Sequence, residues 1–136
     1  MKLIALVMGI AAAAAASGAT AAQRPSPEER LAKITAGRTA GPPVDCINQR
    51  DVRATQIIPG IGIVYTMNNG TLYVNRPAGG TGGIDEDDIL VTRTSTSQLC
   101  RIDIVTLVDR TSHFGSGSFG LGDFIPYSKP ARPSRG

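Results

Sequence analysis

The sequence has no tryptophan and only one histidine, His113, so it offers few of the side chains on which catalytic and metal sites most often depend. Three Phe and three Tyr are the only large aromatic residues. The hydrophobic core must therefore be built mainly from Ile, Val and Leu. Because such a core is modest in a short chain, a covalent crosslink would be a valuable addition to its stability.

Only two cysteines are present, which leaves one intramolecular pairing, Cys46 with Cys100. The bond would close a loop of 100 − 46 = 54 positions, and the chain-entropy model puts its stabilisation at roughly 4 kcal/mol. The alternative is a pair of free thiols in a redox or metal site. No CxxC spacing and no neighbouring histidine supports that alternative. The sequence therefore predicts a disulfide and no cofactor.

The first 22 residues are predicted to be a secretory signal peptide. Lys2 supplies a positive charge, Leu3–Ala16 is an uncharged apolar run, and Ala19–Ala22 carries the small residues of a cleavage site. The apolar run is shorter than the ~20 residues that span a bilayer, so we expect no membrane span after cleavage. An uncleaved anchor is the alternative. A signal of this kind predicts a periplasmic or secreted protein, in a compartment where disulfides persist.

Cleavage after Ala22 would leave 136 − 22 = 114 residues and, with Lys2 removed, would lower the net charge from +3 to +2. So small a charge does not argue for nucleic-acid binding. We expect instead an unknown component of the cell envelope as the partner.

Residues 23–43 are predicted to be a linker that contains a short helix. Ser26 suits the N-cap, Pro27 the first helical position, and Glu29 completes a capping box. A helix this short must pack on the domain to persist. A disordered linker is the alternative.

Residues 44–127 are predicted to form an all-β domain, a small antiparallel sandwich or barrel of five to six strands, because short β patterns alternate with turn residues. The central strand is expected to run from Cys100 to Val108, with Cys100, Ile102 and Ile104 facing the core. Residues 111–120 are expected to form a glycine- and serine-rich loop. Residues 128–136 are expected to be a disordered tail.

A β-hairpin is predicted around Asn69-Gly70, a pair preferred in two-residue type I′ turns. In that register Met67 faces Leu72 and Tyr65 faces Val74. The reverse face would carry polar residues that could bind a carboxylate or a sugar, because Arg pairs with carboxylates through two hydrogen bonds. The candidate ligand-binding residues on and beside that face are Tyr73, Asn75 and Arg76.

Two weaker candidate sites lie in loops. Asp85, Asp87 and Asp88 follow a glycine-rich segment and could hold Ca²⁺, although the spacing matches no established calcium motif. His113 lies near Ser116 and Ser118, so a small serine hydrolase is a conceivable alternative function. No spacing fixes a catalytic geometry there, and we therefore predict no catalytic residues.

Five segments carry a further pattern: Arg30–Lys33, Ala40–Cys46, Gly70–Pro77, Gln98–Cys100 and Leu121–Tyr127. Together they resemble a family of small, uncharacterised, exported proteobacterial proteins, and the resemblance covers nearly all of the mature chain. The family has no established activity, so the resemblance implies no catalytic residues. It implies export and supports the Cys46–Cys100 pair. The leading hypothesis is a non-enzymatic binding or envelope-associated β-domain.

Overall fold

The computed structural model describes residues 15, 17–18 and 21–130. Most of the predicted signal peptide and residues 131–136 of the predicted tail lie outside the described residues. Within the described part of the chain, no helix is long and apolar enough to cross a membrane.

The described residues form one α-helix, one 3₁₀ turn (Gln49–Asp51) and ten short strands. In chain order the helix and strands are α1 (Pro27–Ile34), β1 (Thr39–Ala40), β2 (Cys46–Asn48), β3 (Val52–Ile58), β4 (Gly62–Met67), β5 (Leu72–Asn75), β6 (Asp88–Thr92), β7 (Gln98–Cys100), β8 (Ile104–Asp109), β9 (Gly115–Gly120) and β10 (Phe124–Ser128).

The strands pair antiparallel in three sheets. A five-stranded sheet has the order β1-β10-β5-β4-β3, a three-stranded sheet has the order β6-β8-β9, and β2 pairs with β7. The predicted β class is confirmed. The predicted count of five to six strands is wrong, and the described strands do not close into a barrel. Sequence patterns missed β1, which is two residues long, and β9, whose Gly and Ser residues carry no apolar alternation.

The predicted helix is present with its capping box. The Ser26 hydroxyl accepts a hydrogen bond from the Glu29 amide, and the Glu29 carboxylate accepts one from the Ser26 amide. Leu31 is buried against Ile58 and Val64, so α1 covers the outer face of the five-stranded sheet. Because that packing buries an apolar face, the short helix is held by the domain rather than by its own propensity.

The main core lies between the two larger sheets. Its members are buried side chains from both sheets and from the strands and loop that join them: Ile47, Ile63, Tyr65, Met67, Leu99, Val105, Leu121 and Phe124. Phe124 is fully buried, and the centroid of its ring lies 5.8 Å from that of Tyr65. The five-stranded sheet therefore has an apolar layer on each face.

The predicted disulfide is present and joins Cys46 of β2 to Cys100 of β7, which face each other across the two strands. Strand β2 leads through the 3₁₀ turn into β3, and β7 leads through a tight turn into β8. The bond thus ties the segment that leads into β3 of the five-stranded sheet to the segment that leads into β8 of the three-stranded one.

The predicted central strand from Cys100 to Val108 is wrong in its continuity and in its buried face. The Asp103 carboxylate accepts a hydrogen bond of 2.7 Å from the Cys100 amide and closes a turn between β7 and β8. Leu99, Val105 and Leu107 are buried, while Ile102 and Ile104 are exposed, so the core-facing residues are the opposite set from the predicted one.

The predicted hairpin is present, but its register differs by one residue. Tyr65 lies opposite Tyr73, and Val64 lies opposite Val74. The turn uses three residues, Asn68 to Gly70, and Gly70 alone among them has a positive φ, of 87°. This is a type I turn followed by a left-handed glycine, which gives a different register from a two-residue type I′ turn.

Candidate functional site

The structure separates the three residues predicted to bind a ligand. Asn75 is fully buried, and both ends of its amide are engaged by the segment between β9 and β10. Its Nδ2 donates to the Gly122 carbonyl at 2.7 Å, and its Oδ1 accepts from the Gly122 amide at 2.9 Å. A ligand could bind this side chain only by breaking the two hydrogen bonds to Gly122, so the geometry assigns Asn75 a structural role.

Arg76 and Tyr73 lie in two different surroundings. Arg76 is exposed and forms an ion pair with Glu28 of α1 at 3.2 Å. Tyr73 is half-buried and lines a cleft of about 500 Å³ below the tip of the β4–β5 hairpin. Neither Asn75 nor Arg76 lines this cleft. Ligand binding by this set remains a prediction.

The acidic run is held by contacts within the protein. Asp88 is buried, and its carboxylate accepts from the Asp85 amide at 3.0 Å and from the Ser116 hydroxyl at 3.1 Å. Glu86 forms an ion pair with Arg30 of α1 at 2.7 Å. No group of three or more His, Cys, Asp or Glu side chains converges within the described residues. Asp85, Asp87 and Asp88 thus remain weak candidates for a metal.

The predicted loop around His113 is a hairpin between β8 and β9. His113 is exposed and has a positive φ of 60°. The Asp109 carboxylate accepts hydrogen bonds from the Ser112 and Thr111 amides, at 2.6 Å and 3.0 Å, and these bonds lower the pKa of Asp109. The Ser116 hydroxyl donates to Asp88 rather than to the imidazole. The hydrolase alternative remains a prediction.

The larger cavity lies between β3 and β6, where the two main sheets do not meet. Each strand is an edge of its sheet among the described strands. The groove between them, called the seam here, has a volume of about 780 Å³. Its walls are Val52, Thr55 and Ile57 of β3 and Asp88, Leu90 and Thr92 of β6, and Tyr65 and Leu99 also line it.

The residues of the seam point toward the core. Thr55 lies opposite Tyr65, and Leu90 lies opposite Leu107, so in each pair the edge residue shares a face with a buried core residue. Yet Thr55 is exposed and Leu90 is only half-buried. Side chains that a closed barrel would cover are therefore accessible at the seam.

Tyr65 forms part of the seam's floor and is the titratable group there with a clear shift. Burial disfavours the phenolate and raises the pKa of Tyr65 well above its usual value near 10. The hydroxyl is therefore neutral at physiological pH and can act as both donor and acceptor.

Sequence patterns missed the seam because it arises from strand order. Thr55 and Leu90 are far apart in the sequence, and neither belongs to a recognisable motif. The available signal was the polar composition of β3, whose Arg53, Thr55 and Gln56 are unusual for a strand paired on both sides. That composition fits an edge strand.

Comparisons with known proteins identify no relative of this chain. A scan against protein-family models finds no match, and searches of curated proteins and of solved structures find none.

Proposed function

We propose that the protein is a non-enzymatic binding domain that acts outside the cytoplasm, in the periplasm or after secretion, and receives an extended polypeptide segment in the seam. The observation that carries the proposal is the pair of strand edges, on β3 and β6, that flank one open groove and have no partner among the described strands. Unpaired edges present backbone N–H and C=O groups that an added strand can satisfy. The disulfide supports an oxidising compartment.

The dimensions of the seam suit a short extended segment. Strand β6 has five residues, and the regular pairing of β3 with β4 extends over the five residues Ala54–Ile58, after a register shift near Arg53. Five residues in a strand extend about 17 Å. The groove volume of about 780 Å³ falls within the range of about 300–1,000 Å³ that is usual for ligand pockets.

The lining of the seam indicates which side chains the partner would carry. Alternate residues of an added strand would point inward, because successive side chains face opposite sides. The inward positions would meet Leu90, Leu99 and the neutral Tyr65 hydroxyl, which favour small apolar or hydroxyl side chains. Outward positions would face solvent, and their identity would matter less.

Selection from a phage-displayed library of random peptides tests the proposal. We expect enriched peptides to bind the native chain and to protect backbone amides of β3 and β6 from hydrogen exchange. Thr55→Arg should weaken binding by at least about tenfold, because the long cation would occupy the groove. Thr106→Arg is the matched control, since Thr106 is an exposed strand residue outside the seam.

Two outcomes would contradict the proposal. One is a selection that enriches no peptide on the native chain. The other is a set of peptides that bind the Thr55→Arg variant as tightly as the native chain, because such peptides would occupy another surface. A thermal melt of both variants checks that each is folded before binding is compared.

A further inference from the structure

The cleft below the β4–β5 hairpin is independent of the seam. It lies between the hairpin tip and the β2–β7 pair, and no residue lines both cavities. Two contacts set its shape. The backbone N–H of Asn68 donates to the backbone carbonyl of Asp51 at 2.7 Å, and Asn48 lies opposite Gln98 across the disulfide-bonded strands. The cleft, called the hairpin cleft here, is defined by Asn48, Asp51, Met67, Asn68, Tyr73 and Gln98.

The charge of the hairpin cleft argues against an anionic ligand. None of the nine described residues that line it is Lys, Arg or His, and its single charged residue is Asp51. An anion would lack a cationic partner and would meet a carboxylate. The seam differs, because Arg30 and Arg110 line it together with three acidic residues.

The polar groups of the hairpin cleft include both hydrogen-bond donors and acceptors, and several of them have no partner among the described residues. The Oδ1 atoms of Asn48 and Asn69 accept from the Arg50 and Thr71 amides, which leaves their Nδ2 groups able to donate outward. Among the described residues, none donates to the Asp51 carboxylate or bonds the Gln98 side chain. Amide and carboxylate groups of this kind match hydroxyl groups, each of which donates and accepts at once.

The apolar part of the hairpin cleft is small and lies beside this polar set. Tyr73 is half-buried and Met67 is buried, and both line the cleft, so it is bordered by one aromatic and one thioether side chain. A pyranose ring has the complementary character, because it carries C–H groups on its faces and hydroxyl groups around its edge. We propose that the hairpin cleft binds a neutral saccharide, with Asp51 and Gln98 contacting its hydroxyl groups and Tyr73 its ring.

Titration of the native protein, followed by amide NMR, tests this assignment with three defined probes. Chitotetraose and cellotetraose are neutral, and tetragalacturonate is an anion of similar length. We expect at least one neutral probe to bind with a dissociation constant of about 5 mM or lower and to shift the resonances of the hairpin cleft. Tetragalacturonate should leave those resonances unchanged.

Matched variants locate the binding. Gln98→Ala and Asp51→Asn change exposed side chains, and each should weaken binding of the neutral probe by roughly tenfold, the loss expected from one hydrogen-bonded contact. Gln56→Ala makes the same kind of change in the seam and should leave the affinity unchanged.

Three results would overturn the proposal. They are no shift with either neutral probe up to about 20 mM, an unchanged affinity in both cleft variants, or binding of tetragalacturonate as tight as that of the neutral probes. Because the two cavities share no residue, peptide binding at the seam can fail while saccharide binding succeeds, and the reverse.

Discussion

The two larger sheets differ in how many of their faces are covered. The five-stranded sheet packs against α1 on one face and against the main core on the other, so Ile63 and Val64 of β4, which point to opposite faces, are both fully buried or nearly so. The three-stranded sheet buries only its inner face. Along β8, Val105 is 0% exposed while the preceding Ile104 is 64% exposed.

This difference shows where the stability of the domain is concentrated. A strand that is buried on both faces contributes apolar area from every residue, whereas a strand with one solvated face contributes from every second residue. The five-stranded sheet should therefore tolerate fewer substitutions. The seam lies between the β3 edge of this sheet and the β6 edge of the three-stranded one, so a sheet that is covered on both faces stands beside one that is covered on a single face.

Removal of the disulfide is expected to have the largest effect on stability, because the bond joins the segments that lead into β3 and β8 of the two larger sheets. Replacing both cysteines, Cys46→Ala with Cys100→Ala, should lower the free energy of unfolding by about 4 kcal/mol in the chain-entropy model. Urea unfolding of the variant and of the reduced native chain should give similar midpoints. A loss below about 1 kcal/mol would mean that the two sheets hold each other without the bond.

Gly62 gives the next largest effect and tests the rigidity of the five-stranded sheet. Its φ is 142°, and a Cβ atom there would overlap the Asn75 carbonyl oxygen. Gly62→Ala should therefore cost roughly 3 kcal/mol. Gly120→Ala is the control in the three-stranded sheet, because its Cβ would meet nothing within 4 Å, and it should cost less than about 0.5 kcal/mol. Equal losses of stability in the two variants would contradict the expectation that the five-stranded sheet tolerates fewer substitutions than the three-stranded one.

Asn75 tests the connection from β9 to β10. Asn75→Ala removes both hydrogen bonds to Gly122 and leaves the Gly122 backbone groups without these partners, which should cost about 2 kcal/mol. Chemical denaturation measures the loss. Asn68→Ala changes an exposed amide at the hairpin tip and should be nearly neutral. Similar stability of the two variants would show that the buried pair is dispensable.

Protonation of Asp109 is expected to have the smallest effect, a local change of structure at the β8–β9 turn of the three-stranded sheet. Hydrogen bonds from Ser112 lower its pKa in the folded chain, so these contacts are complete above the unfolded pKa near 3.9 and are lost as the pH falls through the lower folded pKa. The amide shifts of Ser112 and Thr111 should therefore change below about pH 4. Asp109→Asn should abolish that change, and an unchanged native spectrum would contradict the assignment.

Local signals in the sequence predicted the elements that local chemistry determines. The capping box of Ser26 and Glu29 predicted α1, and the two cysteines predicted the disulfide. The hairpin at Asn69-Gly70 was also predicted, but the turn takes in Asn68, and this extra residue changed the pairing of every residue in β4 and β5. A turn signal thus located the hairpin without determining its register.

Other features depend on contacts between distant residues. Asp103 interrupts a continuous β pattern because its carboxylate accepts from the Cys100 amide, and the alternation alone gave no sign of this turn. The alternation of side chains places Asn75 on the predicted ligand-binding face. It gives no sign of the actual partner, because Gly122 lies 47 positions away in the sequence. The seam is visible only once the strand order is known, so the sequence predicted neither of its walls as a site.

The position of β10 has a consequence for the order in which the chain can fold. This strand, the last one described, lies between β1 and β5, so the earliest described strand has no partner until the latest one has been made. A nascent chain that ends before Phe124 would leave one edge of β5 without its partner strand. The five-stranded sheet should therefore be completed only after β10 has been synthesised, and variants that lack β10 should be prone to aggregate.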